Sequence, residues 1–371
     1  MKTKFITGGT GFVGINLIRK LLSEEPSKLV LLVRKNNKQT SEERIHSIFS
    51  GYNLENVEVV EGDTSISSLA STPRGKVQLE QKIDEIIHSA ASTDMSETER
   101  KNTISNNVSG TRNVLDFAKT KPDSVLSYIS TAYVAGKREG LVLEDEQINC
   151  GFKNPYEESK FLAELLIRES MQTGLKAMIF RPGVIVGHSK TGETQSFNMI
   201  YAPWIGCKVI KERHLKESEK KGLSPEFDLS GNLKIPFRMT GRGNSRLNLI
   251  PVDSVVDMVY LIGRNPQPGK TFHLTNHYDT TLDFLREQIC KALKVSGLEF
   301  VNNLPENSTK MEQLFNRSNR VFLPYMTYEN PVFDRTNVNA ILSDYKIPKP
   351  DETLMQTLIK YGESVNWGRR V

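Results

Sequence analysis

The residues that most constrain this chain stand near its start. A short apolar run, KFIT, is followed at once by GGTGFVG, which puts glycines at 8, 9, 11 and 14. Glycine is costly to order, so this concentration implies that the backbone must do something a side chain would prevent. Gly9, Gly11 and Gly14 fit the spacing G-x-G-x-x-G, and Gly8, Gly11 and Gly14 fit the looser G-x-x-G-x-x-G. Between a strand and a helix, such glycines allow a tight turn, let backbone approach a pyrophosphate, and let the helix pack on the strand. The helix N-terminus then faces the anion. A glycine-rich turn without a ligand is the plain alternative, and the strand-loop-helix context favours the phosphate cradle.

The rhythm downstream agrees. Phe12 to Leu22 reads as a helix, 29–34 (LVLLVR) as a strand, and Thr40 to Glu43 as a capping box that starts another helix. Segments 57–63, 83–91, 124–134 and 176–187 read as strands; Val108 to Ala118 and Tyr156 to Met171 read as helices. Strands alternating with helices predict right-handed βαβ units in an α/β fold, a Rossmann-type doubly wound parallel sheet covered on both faces. Residues 188–247 break the pattern and read as polar and irregular. Strand, loop and helix return over 247–262, with a further strand at 271–276, a helix over Leu282 to Leu293, and a tail of helices and Pro-rich turns. The expected organisation is a dinucleotide-binding domain of residues 1–187 with 247–280. Residues 188–246 with 281–371 would form a smaller substrate-binding cap over the carboxyl edge of the strands.

The second strand selects the nucleotide. An NAD site usually has an acid at its end for the ribose 2′-hydroxyl. Here it ends Val33-Arg34-Lys35, with no acid, and Arg34 suits a 2′-phosphate, helped by Arg44 from the next helix. NADPH is therefore the expected cofactor; a solvated basic turn is the alternative. Asp63, in the EGD turn after the third strand, suits an adenine amino contact.

A second cluster follows. In NPYEESKFLAE, Tyr156 and Lys160 are four apart on a predicted helix and share a face. A tyrosine is a poor acid at neutral pH, and a nearby ammonium favours the phenolate and lowers its pKa. Such a pair is also what an ordinary amphipathic face carries. Ser130-Thr131-Ala132 stands just before it at a strand end, where hydroxyls reach a ligand cleft.

Taken together, TGGTGFVG, STAYVAG, YEESK and RPGVIVG resemble the extended short-chain dehydrogenase/reductases over about residues 1–280. The resemblance implies that Thr131 hydrogen-bonds the substrate carbonyl, that Tyr156 is the proton donor, and that Lys160 holds the nicotinamide ribose and tunes the tyrosine. It places Pro182, Gly183 and Val184 beside the nicotinamide. Thr7, Gly8, Thr10, Gly11, Phe12, Val13 and Gly14 of the first loop join the cofactor site, as do Thr64, Ser89, Ala90, Ala91 and Ser130 near later strand ends. Asn107, in NNVSGTRNVL, matches a helix asparagine whose role is largely structural. The runs IFRPGVIVGHSKTGE, IIHSAASTD and IPVDSVVDMV are similar to the thioester-reductase branch: reductase domains of carboxylic acid reductases and nonribosomal peptide synthetases, and fatty acyl reductases. That branch implies reduction of an acyl thioester, delivered on an acyl-carrier protein or CoA, to an aldehyde or on to the alcohol. Relatives are often fused to carrier or adenylation modules; this chain would meet its thioester in trans. Many relatives dimerise through a helix pair, so a homodimer is expected. Sugar-nucleotide epimerases and hydroxysteroid-type dehydrogenases share the Thr/Tyr/Lys set, but epimerases keep NAD bound, which Arg34 disfavours. A non-catalytic NADP sensor would tolerate loss of the tyrosine or lysine, and both are present.

Charge is concentrated rather than general. Ten basic and five acidic side chains lie between Lys208 and Arg246, an excess equal to the whole chain's +5. Such a patch either steers an acidic carrier protein or CoA phosphates, or is a solvated insertion. The stretch Phe197 to Ile205 is either acyl-pocket lining or core, and His188 is a lone loop histidine. No nucleic-acid-binding motif is present. Cys150, Cys207 and Cys290 form no CxxC pair, which predicts no disulfide framework or zinc site and fits a reducing cytoplasm. No run of about 18 apolar residues is present, so no membrane span is expected.

Overall fold

The computed structural model describes residues 1–369. Two compact units divide the chain: Met1–Gly183 with Val252–Thr275 and Val332–Lys346, and Val184–Pro251 with Asn276–Pro331 and the C-terminal segment from Ile347.

The first unit is built on β1 (Thr3–Thr7), α1 (Phe12–Glu24), β2 (Lys28–Val33), β3 (Val57–Glu61), β4 (Glu85–His88), α2 (Arg100–Lys119), β5 (Val125–Ile129), α3 (Pro155–Gln172) and β6 (Ala177–Pro182). Its seven strands pair in the order β8-β6-β5-β4-β1-β2-β3, where β8 (Thr271–Leu274) follows α5 (Val252–Arg264). Every pairing is parallel. Parallel strands are covered on both faces, and β2 accordingly reads KLVLLV, with all but its first residue buried. Register aligns Val30, Phe5, Ile86 and Leu126 across four strands. These side chains pack against Val114, Leu115, Ala163 and Ile167 of α2 and α3. The chain runs outward from β1 through β2 and β3, then returns to β4 on the other side of β1. That reversal is the switch point at which open α/β sheets bind ligands.

The second unit contains α4 (Tyr201–Lys220), β7 (Leu233–Thr240), α6 (Leu282–Leu293), β9 (Val295–Val301) and α7 (Lys310–Ser318). Three sequence expectations change here. Residues 188–247 are not irregular: they hold the 20-residue α4 and the eight-residue β7, which pairs in parallel with β9. Only Tyr201, Trp204, Cys207 and Ile210 of α4 are buried, so its apolar period fades over the charged second half. The tail also divides, because Val332–Phe333 pairs with Leu141–Val142 and brings 332–346 into the sheet unit. The segment 176–187 is likewise two strands, β6 in the main sheet and Val184–Val186 paired to Leu249–Pro251 in the second unit. No helix among the described residues is long and apolar enough to cross a membrane. Cys150, Cys207 and Cys290 are all free.

Candidate active site

Each glycine of the first loop has its own steric reason. Gly8 has φ +76°, and a Cβ there would lie 2.5 Å from the Ala90 nitrogen. A Cβ on Gly14 would lie 2.1 Å from the Gly8 carbonyl oxygen, so the first turn of α1 rests directly on the loop. Gly11 differs: its Cβ would meet only the Gly8 oxygen, at 3.3 Å, and otherwise open space. Gly11 caps α1 without a side-chain hydrogen bond, and the first turn carries no acid. The helix thus presents orphan N–H groups and its positive end to a cavity of about 560 Å³.

That cavity gathers residues from four strand ends. Thr7, Gly8, Thr10 and Gly11 line it from β1, Arg34 and Arg44 from beyond β2, Asp63 and Thr64 from beyond β3, and Ser89, Ala90, Ala91 and Asn107 from β4 and α2. Leu32, Gly62, Ser65, Ser92 and Asn106 also line it and were not expected from the sequence. The Arg34 side chain is 74% exposed and stands 3.4 Å from Asp63. The Arg44 guanidinium donates to the Arg34 carbonyl, which fixes two cations at the mouth. Asn113 donates to the Thr64 carbonyl at 2.7 Å and holds the β3 turn against α2. Phe12, Val13 and Gly14 belong to the first turn of α1 and are not among the lining residues.

Some predicted ligands turn inward. The Thr7 hydroxyl, fully buried, lies 2.7 Å from Nδ1 of His88, whose Nε2 lies 3.1 Å from the Thr111 hydroxyl. The Ser130 hydroxyl donates to Glu164 and so joins a buried ion pair. Glu164 also accepts from Arg181 at 2.6 Å, and both side chains are essentially inaccessible. Arg181 reaches the carbonyls of Glu144 and Glu146 as well, which pins β6 to the preceding loop.

Thr131 stands just beyond β5, and Tyr156 and Lys160 lie one turn apart on α3, from which Lys160 reaches back to the end of β5. Thr131 accepts a hydrogen bond from the Tyr133 N–H at 3.3 Å, which leaves its own proton free to donate. Asn154 caps α3 by accepting from the Glu157 N–H, and Pro155 occupies the first turn, so Tyr156 is held at a well-formed helix start. Lys160 donates to the Ile129 carbonyl at 2.6 Å, and its ammonium lies 4.2 Å from the Tyr128 ring centroid. Asn107 accepts from the Ser92 N–H at 2.7 Å and donates to the Ser92 carbonyl and the Ser159 hydroxyl. It thereby ties the β4 loop to α3 one residue before Lys160.

Burial sets the protonation states. It pushes Lys160 down to about 7, against an upward pull from Glu164. It pushes Tyr156 well above its ordinary value, with Glu157 adding to the rise. Burial thus governs the tyrosine where a lowering by the lysine was expected, and Tyr156 stands as a neutral phenol, the proton-donor form. Burial and the Lys160 charge hold His88 neutral, down to about 3. Pro182 ends β6, and the Gly183 N–H donates to Leu274 at 3.0 Å. Val184 lies past that point, in the second unit, where its N–H donates to Asn248.

A parallel doubly wound sheet with a glycine loop on the β1–α1 turn is a Rossmann-type fold. The family model described as Male sterility protein, an NAD-binding domain, matches residues 6–259, and the chain belongs to that family. It is 27% identical over 302 residues to the nonribosomal peptide synthetase asaC of Aspergillus flavus, covering 75% of this chain and 27% of that protein. It is 26% identical to the fatty acyl-CoA reductase wat of Drosophila melanogaster, covering 69% of this chain and 53% of that protein. The chain thus spans only part of the curated relatives it matches. Among solved structures, the terminal R domain from the myxalamid PKS-NRPS biosynthetic pathway superposes with a TM-score of 0.77 at 24% identity. That match covers 99% of this chain and 92% of that one, a likeness of fold.

Proposed function

We propose that the chain is an NADPH-dependent reductase that converts an acyl thioester, carried on a carrier protein or CoA, to an aldehyde. The observation that carries this reading is the set of Thr131 just beyond β5 with Tyr156 and Lys160 on α3, in a chain whose switch-point cavity has a glycine cradle and two arginines. The sheet unit holds the dinucleotide and the second unit holds the acyl substrate. The cavity residues fit such a cofactor: Gly11 leaves room for a pyrophosphate, the N-terminus of α1 faces it, and Arg34 and Arg44 match a 2′-phosphate. Bound there, NADPH supplies the hydride.

The chain's own residues supply position and charge. As negative charge builds on the carbonyl oxygen, Thr131 and Tyr156 donate hydrogen bonds to it, and Tyr156 gives up its proton. Lys160, fixed by the Ile129 carbonyl and the Tyr128 ring, lies one helical turn from Tyr156 on α3, from where its ammonium would stabilise the developing phenolate. Two-electron reduction of a thioester leaves a hemithioacetal, which breaks its C–S bond to release thiol and aldehyde. The epimerase reading is weaker, because the second strand ends in Arg34 rather than an acid.

The test is NADPH oxidation with acyl-CoA and carrier-borne thioesters, with thiol release measured in parallel. Tyr156→Phe is expected to lower kcat by roughly 10²- to 10⁴-fold while NADPH affinity holds. Turnover of ketones or nucleotide sugars but of no thioester would reject the reading.

A further inference from the structure

The second unit carries an open groove of about 280 Å³ between α4 and α7. Its floor is closed where the helices nearly touch: a Cβ on Gly206 would lie 2.4 Å from the Phe315 ring. Above that contact the helices present facing apolar stripes. Ala202, Ile205 and Val209 recur at helical spacing on α4, and Met311 and Leu314 do so on α7. Tyr201, Trp204, Cys207 and Ile210 supply the face of α4 that is buried, whereas Leu314 is 44% exposed. Two parallel apolar ridges with an open trough are the geometry that takes an amphipathic helix.

Charge restricts what the occupant can be. Arg213 and Arg369 line the groove, and no acidic residue does. Arg213 contacts only the Met311 sulfur, at 3.8 Å, and among the described residues neither arginine has a carboxylate partner. Some cations of this unit do have carboxylate partners, as Arg238 has Glu312 and Lys291 has Glu352. Lys216 and Lys220 on α4 and Arg317 on α7 are further exposed cations of these two helices, and Glu217 stands one turn beyond Arg213 on α4. An acidic helix with one apolar face satisfies both the trough and the arginines.

We propose that this groove docks an acidic amphipathic helix of the carrier protein that delivers the thioester. The inference rests on the function proposed above and adds the surface by which the partner is recognised. It explains why basic residues concentrate in an insertion of the second unit rather than over the whole chain.

Two measurements separate this proposal from the functional reading. The first is direct binding of a phosphopantetheine-bearing acyl carrier protein to the full chain, which needs no turnover. Arg213→Glu and Leu314→Glu each replace an exposed side chain, so unchanged thermal unfolding is expected. Each should weaken binding by about tenfold or more, and rising salt should weaken the native complex. The second is steady-state reduction: KM for the carrier-borne thioester should rise in both variants, while kcat/KM for the same acyl group on CoA stays within about twofold. Carrier binding by the native chain that both variants retain would overturn the proposal, as would no binding by the native chain. A dimer of this chain dispersed by Leu314→Glu would assign the groove to a second copy and overturn it as well. Binding lost in the variants with no thioester reduced by any form would uphold the docking face and reject the catalytic reading.

Discussion

Gly11 and Gly14 stand three residues apart in one loop, and the structure assigns them opposite consequences on substitution by alanine. At Gly14 the new Cβ would lie 2.1 Å from the Gly8 oxygen, 2.8 Å from the Gly8 carbon and 2.9 Å from Gly9 Cα. All three are backbone atoms, so no flexible side chain can yield. Gly8 cannot retreat either, since it sits at φ +76° against Ala90. The start of α1 must move away from β1, an overpacking cost of about 3 kcal/mol at the upper end of its range. Alanine recovers about 1 kcal/mol over glycine inside a helix, which leaves a loss of about 2 kcal/mol. For a unit of this size that is roughly 4–8 °C in Tm. At Gly11 the backbone (φ −92°, ψ 171°) suits alanine, and the Cβ meets only the Gly8 oxygen, at 3.3 Å, which must give by a few tenths of an ångström. Stability should change by less than about 0.5 kcal/mol, but the methyl occupies the approach to the α1 N-terminus. NADPH affinity should fall by about tenfold or more, the scale of one lost charge-assisted contact. Thermal unfolding by circular dichroism and NADPH titration by fluorescence read the two effects apart. A Gly14→Ala chain that melts with the native one, or a Gly11→Ala chain that binds NADPH as tightly, would refute this assignment of roles.

Three further outcomes are expected. Arg34→Ala should reduce the preference for NADPH over NADH by about tenfold in Kd, because a charge-assisted contact to the 2′-phosphate is lost; an unchanged ratio would remove Arg34 from that role. Lys160, at about 7 in the fold against an ordinary 10.5, binds fewer protons folded than unfolded between those values, so stability should rise with pH across that window. In the same direction kcat/KM should fall as the ammonium is lost above pH 7, and Lys160→Met should flatten the stability slope. Arg181→Met should cost about 3 kcal/mol by urea unfolding, because Glu164 loses its close counter-charge and keeps in the core only the Ser130 hydroxyl and Arg168 at 3.9 Å; pairing it with Glu164→Leu should restore much of that loss, which a purely steric role for Arg181 does not predict.

What was legible in the sequence is what is encoded locally. The β1 run, the glycine loop and the start of α1 are contiguous, and so are the Asn154 cap, Pro155 and the Tyr156–Lys160 spacing that set α3. Residues that line a cavity from the ends of parallel strands also follow from strand order alone. The helix α4 was not legible, because half of it is solvated and its apolar side chains only acquire meaning against α6 and α7. The return of 332–346 to the sheet unit rests on a two-residue pairing and on Glu144, whose carboxylate accepts from the Asn337 N–H, 193 residues away.

The same distinction separates the site from its support. Thr131, Tyr156 and Lys160 declare themselves by type and spacing, but what fixes them does not. Glu164 shares a face with Lys160 one turn earlier, and a carboxylate on a buried face demands a partner; the signal was present, but Arg181 is named only by the β5–β6 packing. His88 follows two isoleucines at the end of β4, and a buried imidazole there must find hydroxyls; Thr7, 81 residues away, is one of them. The consequence is that two hydroxyls nominated by position, Thr7 and Ser130, also belong to the scaffold, Thr7 beside His88 and Ser130 on Glu164, whereas Thr131 accepts from the Tyr133 N–H. Position at a strand end nominates a ligand, and the hydrogen-bond ledger of the surrounding core decides which nominees are free to act.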